Sequence, residues 1–481
     1  MIDAIVIGAG LGGLACASKL VRAGLDVLVL EKIPHIGGTS FVFRRGPFEF
    51  PMGPLAFSFP VRVRRFLEES GADGGLSFRR NHFQLVSPYF DIVYSRPLGE
   101  FRDELAGLYP AETVGLDRVF ADLTSMIDAL REERAAPSRL QSWSATPAST
   151  LLDRHLRDVH LKALLGSMGT SPPDMSLLNL AVMWRVMSVE GIWFPEGGID
   201  GLCRLLETAV RDGGGEIRLS SPVETIVVEN GRAVGVRTPE GGVIRAEWIV
   251  SNADYKTTFL ELLRPADVPA PHLELVKRIP YTESELCVYL GVDRTKVDLG
   301  RLRATHLFTR HEERPPSPGD EEDFDNQEIE VCLWTENAPS AAPEGRAVLL
   351  LRVQFPYETA ADWRTGEKSR KAGYREYKLG LARKLIKTVE RVLPGLSESV
   401  EVMDAATPLT YRDWGRRFAG SIAGWTWSGE AGEGFREPFL VRTPVENLLA
   451  VGVYAARELV FGGVPTAFHT ADLAAEMILR G

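Results

Sequence analysis

With 481 residues the chain is too long for one small core, and two or three domains are expected. Hydrophobic residues make up 44% and charged residues 25%, an ordinary composition for a soluble globular protein. The formal net charge of -10 argues against a general nucleic-acid binder, because no basic surplus is left for phosphates.

Arg62, Arg64 and Arg65 read as a solvated helix face rather than a lipid-binding patch. Cys16, Cys203, Cys287 and Cys332 stand in no metal-ligand spacing, and the histidines form no HxxxH pair. Reduced, mostly buried thiols and no metal are therefore expected. Apolar residues that read as a first strand begin at Ala4, so no signal peptide is expected, and no run of eighteen apolar residues occurs. A cytoplasmic location follows as an expectation.

Ala4 to Ile7 is a short apolar run that suits a buried parallel strand. Gly8-Ala9-Gly10-Leu11-Gly12-Gly13 follows and fits GxGxxG. Leu14 to Ala23 reads as a helix that Gly24 ends, Leu25 to Leu30 as a second strand, and Glu31 closes it. Gly8 permits a tight turn, Gly10 lets a pyrophosphate approach the backbone, and Gly13 lets helix and strand pack closely. The free N–H groups at the helix start favour a phosphate. Glu31 lies about 20 residues past the glycines, where a carboxylate takes ribose hydroxyls. Strand, glycines, helix, strand and acid in that order make a strong dinucleotide signal.

Lys32 and then His35-Ile36-Gly37-Gly38-Thr39-Ser40 come next. A second glycine pair beyond the acid resembles the flavoprotein pattern, so FAD rather than NAD is the expected cofactor. Only one GxGxxG stands in the right context, which argues against a bound nicotinamide as reductant.

Residues 41–60 are rich in Phe, Pro and Gly and read equally as a ligand-facing wall or as core. Residues 98–190 look largely helical, with apolar spacing through Leu105, Val119, Leu123 and Met126. Met175 to Met187 reads first as core, and second as a pliable wall for a greasy ligand. Gly197-Gly198 opens a helix to about Asp212. Strands are expected at 216–219, 221–228, 234–237 and 243–249, with Asn230-Gly231 as a hairpin turn. Strands at 285–292 and 347–354 and a helix at 374–392 belong to a further domain, while 312–326 reads as an acidic, poorly ordered loop. A last strand at 447–452 ends on Gly452, and Gly462-Gly463-Val464-Pro465-Thr466 opens the final helix, with Pro465 suited to its first turn. A helix N-terminus there suits the anion of a reduced flavin.

These pieces together resemble the phytoene desaturase family, with carotenoid cis-trans isomerases and retinol saturases as its relatives. The motifs are Gly8 to Gly13 with Glu31, Gly37-Gly38-Thr39-Ser40, Phe50-Pro51-Met52-Gly53-Pro54, Pro195-Glu196-Gly197-Gly198, Val223, Ser251-Asn252-Ala253-Asp254, Thr407-Pro408-Leu409-Thr410, Gly420-Ser421, Gly424-Trp425 and Gly462-Gly463-Val464-Pro465. The resemblance implies an α/β fold. A Rossmann-like FAD-binding domain of the glutathione-reductase and amine-oxidase type would be built from 1–75, 191–255 and 406–481. A helical lid at 76–190 and a mixed α+β substrate domain at 256–405 would interleave with it. It implies cofactor contacts at Gly8, Gly10, Leu11, Gly12, Gly13, Glu31, Lys32, Gly38, Thr39, Ser40, Pro54, Val223, Gly452, Gly463, Val464, Pro465 and Thr466, with Val223 meeting the adenine through its backbone.

The implied activity is hydride transfer between flavin and a long apolar isoprenoid or polyene in a desaturase, saturase or isomerase, with no catalytic residue assigned. Such a substrate implies peripheral contact with the inner membrane. Three positions depart from the family pattern: Thr39 where the family often has Arg, Pro51 where many members have Asp, and Val453 where many flavoproteins have an acid. Trp193, Phe194, Tyr411, Trp425 and Trp427 read equally as tunnel or core. Two alternatives stay open: a flavin amine oxidase, for which Trp425 and Trp427 would supply an aromatic pair, and a non-catalytic escort of prenylated proteins on the same fold.

Overall fold

Strand β1 (Ile2–Ile7) is the middle of a parallel sheet. On one side it pairs with β2 (Val27–Leu30), which pairs in turn with Glu216–Arg218. On the other side it pairs with Val243–Ser251, which pairs with Leu448–Ala450. The computed structural model describes residues 2–53, 55–132, 136–167, 175–279, 284–311, 319–422, 424, 439–456 and 462–481.

The four residues of β2, Val-Leu-Val-Leu, are all buried, as a strand covered on both faces requires. Helix α1 (Leu11–Arg22) crosses from β1 to β2 and is itself flanked by the helices Gly198–Asp212 and Gly463–Leu479. Its small residues Ala15, Cys16 and Ala17 are wholly buried, so close packing rather than helix propensity selects them. The strand Val243–Ser251 serves two sheets of opposite kind. From Ala246 it runs parallel to β1 and from Ile249 also to Leu448–Ala450, while its start joins an antiparallel meander with Arg232–Arg237 and Thr225–Glu229. Asn230 (φ 53) and Gly231 (φ 82) make the tight turn between the last two, as expected.

A second sheet of seven strands has the order 400–406, 285–293, 346–354, 329–333, 306–309, 83–86, 91–93. It is antiparallel except where His306–Thr309 meets Phe83–Val86. One face carries Leu286, Val288, Leu349, Leu351 and Val331 beneath the helix Tyr374–Val389. The helices Leu98–Leu108, Thr113–Arg131, Ala148–His155 and Leu177–Trp184 pack around Leu123 and Trp184 in a separate core.

Several boundaries differ from expectation. The strand expected at 221–228 is confined to Thr225–Glu229, because Pro222 has no N–H for the ladder, so Val223 lies ahead of it. Phe78–Asn81, Phe83–Val86 and Asp91–Val93 are strands within the 76–190 stretch read as a helical lid. The described part of the acidic loop is packed: Phe324 is buried and Asp325 accepts from Arg391 (2.7 Å) and Thr388 (3.0 Å). Met183, Trp184 and Met187 belong to the helical core, while Phe48, Phe50, Phe57 and Phe59 are buried.

Candidate functional site

The C-terminal ends of the parallel strands gather four glycine turns. Gly8 has φ 94, a left-handed value that makes the turn out of β1 a glycine position. No side chain caps the start of α1, so its first N–H groups remain for a ligand. Asn252, at the end of the neighbouring strand, fills the space between the turns. A Cβ at Gly10 would lie 2.7 Å from its amide nitrogen, and one at Gly12 would lie 2.7 Å from its amide oxygen and 2.8 Å from the Gly452 backbone. Gly13 faces the other way, against the Gly8 carbonyl, and its part is helix–strand packing. The second glycine pair is tied to the first, since Gly37 N donates to Ala9 O at 2.8 Å.

Glu31 is buried. One of its carboxylate oxygens accepts from Ala9 N (2.7 Å) and the other from Ile33 N (3.1 Å). Both oxygens keep acceptor capacity for further donors. Lys32 Nζ is buried without a partner among the described residues. Burial, with Arg416 close by, pushes its ammonium down to about 7. Arg417 reaches across to donate to Thr39 Oγ1 at 2.8 Å.

A cavity of about 480 Å³ opens on these groups. Of the expected contacts, Gly8, Gly10, Leu11, Gly12, Glu31, Lys32, Gly38, Thr39, Ser40, Val223, Gly452, Gly463 and Val464 line it. Gly13, Pro465 and Thr466 do not line it, and Pro54 lies outside the described residues, as do Trp425 and Trp427. Tyr411 lines the cavity. Trp193 does not, and Phe194 instead lines a separate depression of about 1060 Å³, where Arg44 and Arg204 are paired with Glu49 and Asp200.

The same cavity takes in a row of charged side chains that sequence reasoning missed. Glu285, Arg352, Glu330 and His306 sit on four neighbouring strands of the second sheet. Arg352 donates to Glu285 through Nε (3.1 Å) and Nη2 (2.8 Å), and to Glu330 through Nη1 (3.0 Å). The other Glu330 oxygen meets His306 Nδ1 at 2.8 Å, and the Tyr411 hydroxyl donates to Glu285 at 2.6 Å. His306 Nε2 lies 3.3 Å from the Asn81 amide nitrogen, and its ring stacks on Phe83. Burial opposes both charges, but Arg352 and His306 pull Glu330 down to about 2. Burial likewise disfavours the imidazolium, yet Cys332 and Glu330 outweigh it and push His306 up to about 10. The legible signal was a charge inside an apolar strand: Ile-Glu-Val-Cys-Leu at 329–333 and Leu-Leu-Leu-Arg-Val at 349–353.

A glycine cradle that any Cβ would fill, a buried acid with spare acceptor capacity and an orphaned ammonium together fit the adenosine diphosphate half of a dinucleotide. A parallel-sheet cradle that shares one cavity with a second, charged sheet is the plan of a dinucleotide-dependent oxidoreductase. The model of the flavin containing amine oxidoreductase family matches residues 11–479, and the chain belongs to that family. The chain is 27% identical over 457 residues to chloroplastic prolycopene isomerase of Daucus carota, covering 87% of this chain and 71% of that one. It is 25% identical over 520 residues to all-trans-retinol 13,14-reductase of Danio rerio, covering 94% and 82%. It is 26% identical over 514 residues to the neurosporene-forming phytoene desaturase of Rhodobacter capsulatus, covering 99% and 93%. Among solved structures, an oxidoreductase of Methanosarcina mazei aligns with a TM-score of 0.67 at 18% identity, over 98% of this chain and all of that one. A putrescine oxidase variant aligns at 0.64 and 16%, over 100% and 99%. These two likenesses carry the fold. The chain is a flavin-dependent oxidoreductase similar to prolycopene isomerase, retinol reductase and phytoene desaturase.

Proposed function

We propose that the cavity binds FAD and a long apolar isoprenoid or polyene chain, and that the enzyme desaturates, saturates or isomerises that chain. The observation that carries this reading is the continuity of one cavity from the glycine turns to the second sheet. The relatives' own names support the substrate class, since prolycopene, retinol and phytoene are all isoprenoid polyenes. FAD, when bound, supplies the acceptor or donor of a hydride.

The chain's residues do the rest. The N–H groups at the start of α1 take the pyrophosphate, and Glu31 takes the ribose hydroxyls. Lys32 and Gly38 to Ser40 close over the phosphate and ribityl side. The Val223 backbone meets adenine. Gly452 and Gly463 to Thr466 flank the ring end, where the positive end of the Gly463–Leu479 helix favours reduced, anionic flavin. On this reading 1–75, 191–255 and 406–481 form the cofactor domain, 76–190 the lid and 256–405 the substrate domain.

An apolar substrate must come from a bilayer, and we read Leu108, Val114 and Val159, exposed in the helical region, as the contact. No helix among the described residues is long and apolar enough to cross a membrane. Flotation with liposomes tests the contact, and a protein that stays in the dense fraction removes it.

The first experiment is an absorption spectrum of the purified protein with identification of the released chromophore. Flavin bands and released FAD are expected. A protein that stays colourless after incubation with FAD sinks the reading, and peroxide release with amines replaces it with an amine oxidase.

A further inference from the structure

A cavity for a pure hydrocarbon has no use for four ionisable side chains on its wall. Burying them costs free energy that only their mutual pairing offsets, and apolar residues of similar size would serve a hydrocarbon better. The register explains how they come together. Glu330 pairs directly with Arg352, while Cys287 pairs with Arg352 and Cys332 pairs with His306. Glu285 and Glu330 each stand two residues from one of those cysteines, so all four side chains share one face of the sheet.

The row is internally balanced: two carboxylates face one guanidinium and one imidazolium. Arg352 uses three of its five N–H donors on these partners, which leaves two without one among the described residues. We propose that the substrate carries an uncharged hydrogen-bonding oxygen, a hydroxyl or a carbonyl, that seats against Arg352 and Glu330, with His306 holding Glu330 in place. The inference rests on the apolar-chain reading above and narrows it.

The argument is one of desolvation. A hydrocarbon lying on the row strips water from the free guanidinium N–H groups and the carboxylate oxygens and returns no hydrogen bond. A hydroxyl returns both a donor and an acceptor, and a carbonyl returns an acceptor to Arg352. A carboxylate is disfavoured for another reason: it adds a negative charge to a row already at balance. Sites built to bond a substrate hydroxyl reject the analogue lacking it by large factors, up to about 10⁴–10⁵. The open cavity here argues for the lower part of that scale, at least about tenfold.

The test uses the flavin-loaded full-length protein and three C20 isoprenoid chains presented from cyclodextrin: geranylgeraniol, the hydrocarbon with hydrogen in place of its hydroxyl, and the corresponding carboxylic acid. Binding is read from the perturbed flavin spectrum and from equilibrium partition. The alcohol is expected to bind at least about tenfold more tightly than the hydrocarbon and more tightly than the acid. That ratio is expected to fall towards one in His306→Leu and in Arg352→Met, whichever retains flavin.

Equal binding of alcohol and hydrocarbon overturns the inference and leaves the apolar-chain reading standing. A preference for the acid overturns it too. A preference for the alcohol that survives in both variants, or in the one that keeps its flavin, overturns its assignment to this row. Failure of all three chains to bind a flavin-containing protein overturns the apolar-chain reading, and this inference with it.

Discussion

The two large sheets expose function in opposite ways. In the parallel sheet the buried stretches 4–7 and Val27–Leu30 are apolar, and what a ligand meets lies at their C-terminal ends, in glycine turns, helix N–H groups, Glu31 and Lys32. In the second sheet the polar groups sit on the face of the strands, each flanked by apolar neighbours, and the chemistry belongs to side chains. The first design recognises a ligand by close approach of backbone, so its failures are steric. The second recognises by charge, so its failures are electrostatic and depend on pH.

Removing the central charge should have the largest effect. Arg352→Met removes the guanidinium between two buried carboxylates, leaving Glu285 only the Tyr411 hydroxyl and Glu330 only His306, and a loss of roughly 3–5 kcal/mol in urea unfolding is expected. A change below about 1 kcal/mol would show that the row is hydrated and weakly coupled. The steric counterpart is Gly12→Val, whose added carbon meets the Gly452 backbone 2.8 Å away. It should cost roughly 1–3 kcal/mol and abolish flavin retention. If the flavin content is unchanged, the close-approach argument fails.

Glu31→Gln keeps the shape and loses the charge. Weaker acceptance from ribose should lower flavin affinity about tenfold, which is about 1.4 kcal/mol, and the Gln amide, facing Ala9 N or Ile33 N donor to donor, should lower the apoprotein's melting point as well. The row should also give a pH signature opposite in sign to that of Lys32 in the cradle, which is lowered from 10.5 to about 7 and so adds stability as pH rises through that range. His306 is raised from 6.5 to about 10, so its contribution is complete below 6.5 and is lost as pH rises towards 10. Glu330 is lowered from 4.5 to about 2, so its contribution is complete above 4.5 and is lost as pH falls towards 2. Both are intact between about 4.5 and 6.5. The difference between the native protein and His306→Gln is the expected readout: from pH 6.5 towards 10 the native melting point should fall relative to that of the variant. The smallest effect is at Arg65, whose 2.7 Å pair with Glu69 stands in solvent; Arg65→Ala should leave the melting point unchanged.

The cradle was legible because its parts are contiguous. Gly8 to Gly13, Glu31 and Gly37-Gly38 lie within forty residues, and each has one physical reason. The Gly452 and Gly463 turns were legible for the same cause. Asn252 was quoted within a motif, but its role as the wedge between Gly10, Gly12 and Gly452 needed the tertiary arrangement. The charged row was not assembled because its members come from 285, 306, 330 and 352, and only strand register places them side by side. The strands at 78–93 were passed over because they are only three or four residues long, too short for a periodic pattern to show.

The strand Leu448–Ala450 closes the parallel sheet against Val243–Ser251, about two hundred residues earlier, and the Gly452 turn beside it completes the glycine cradle. On the ribosome, therefore, the first forty residues emerge long before their pocket can exist. Their sheet waits with an unpaired apolar edge until the last strand is made, a long-range closure that favours slow folding and dependence on chaperones. Cofactor loading becomes the final event of biogenesis, and a nascent chain stalled before residue 440 is expected to capture no flavin.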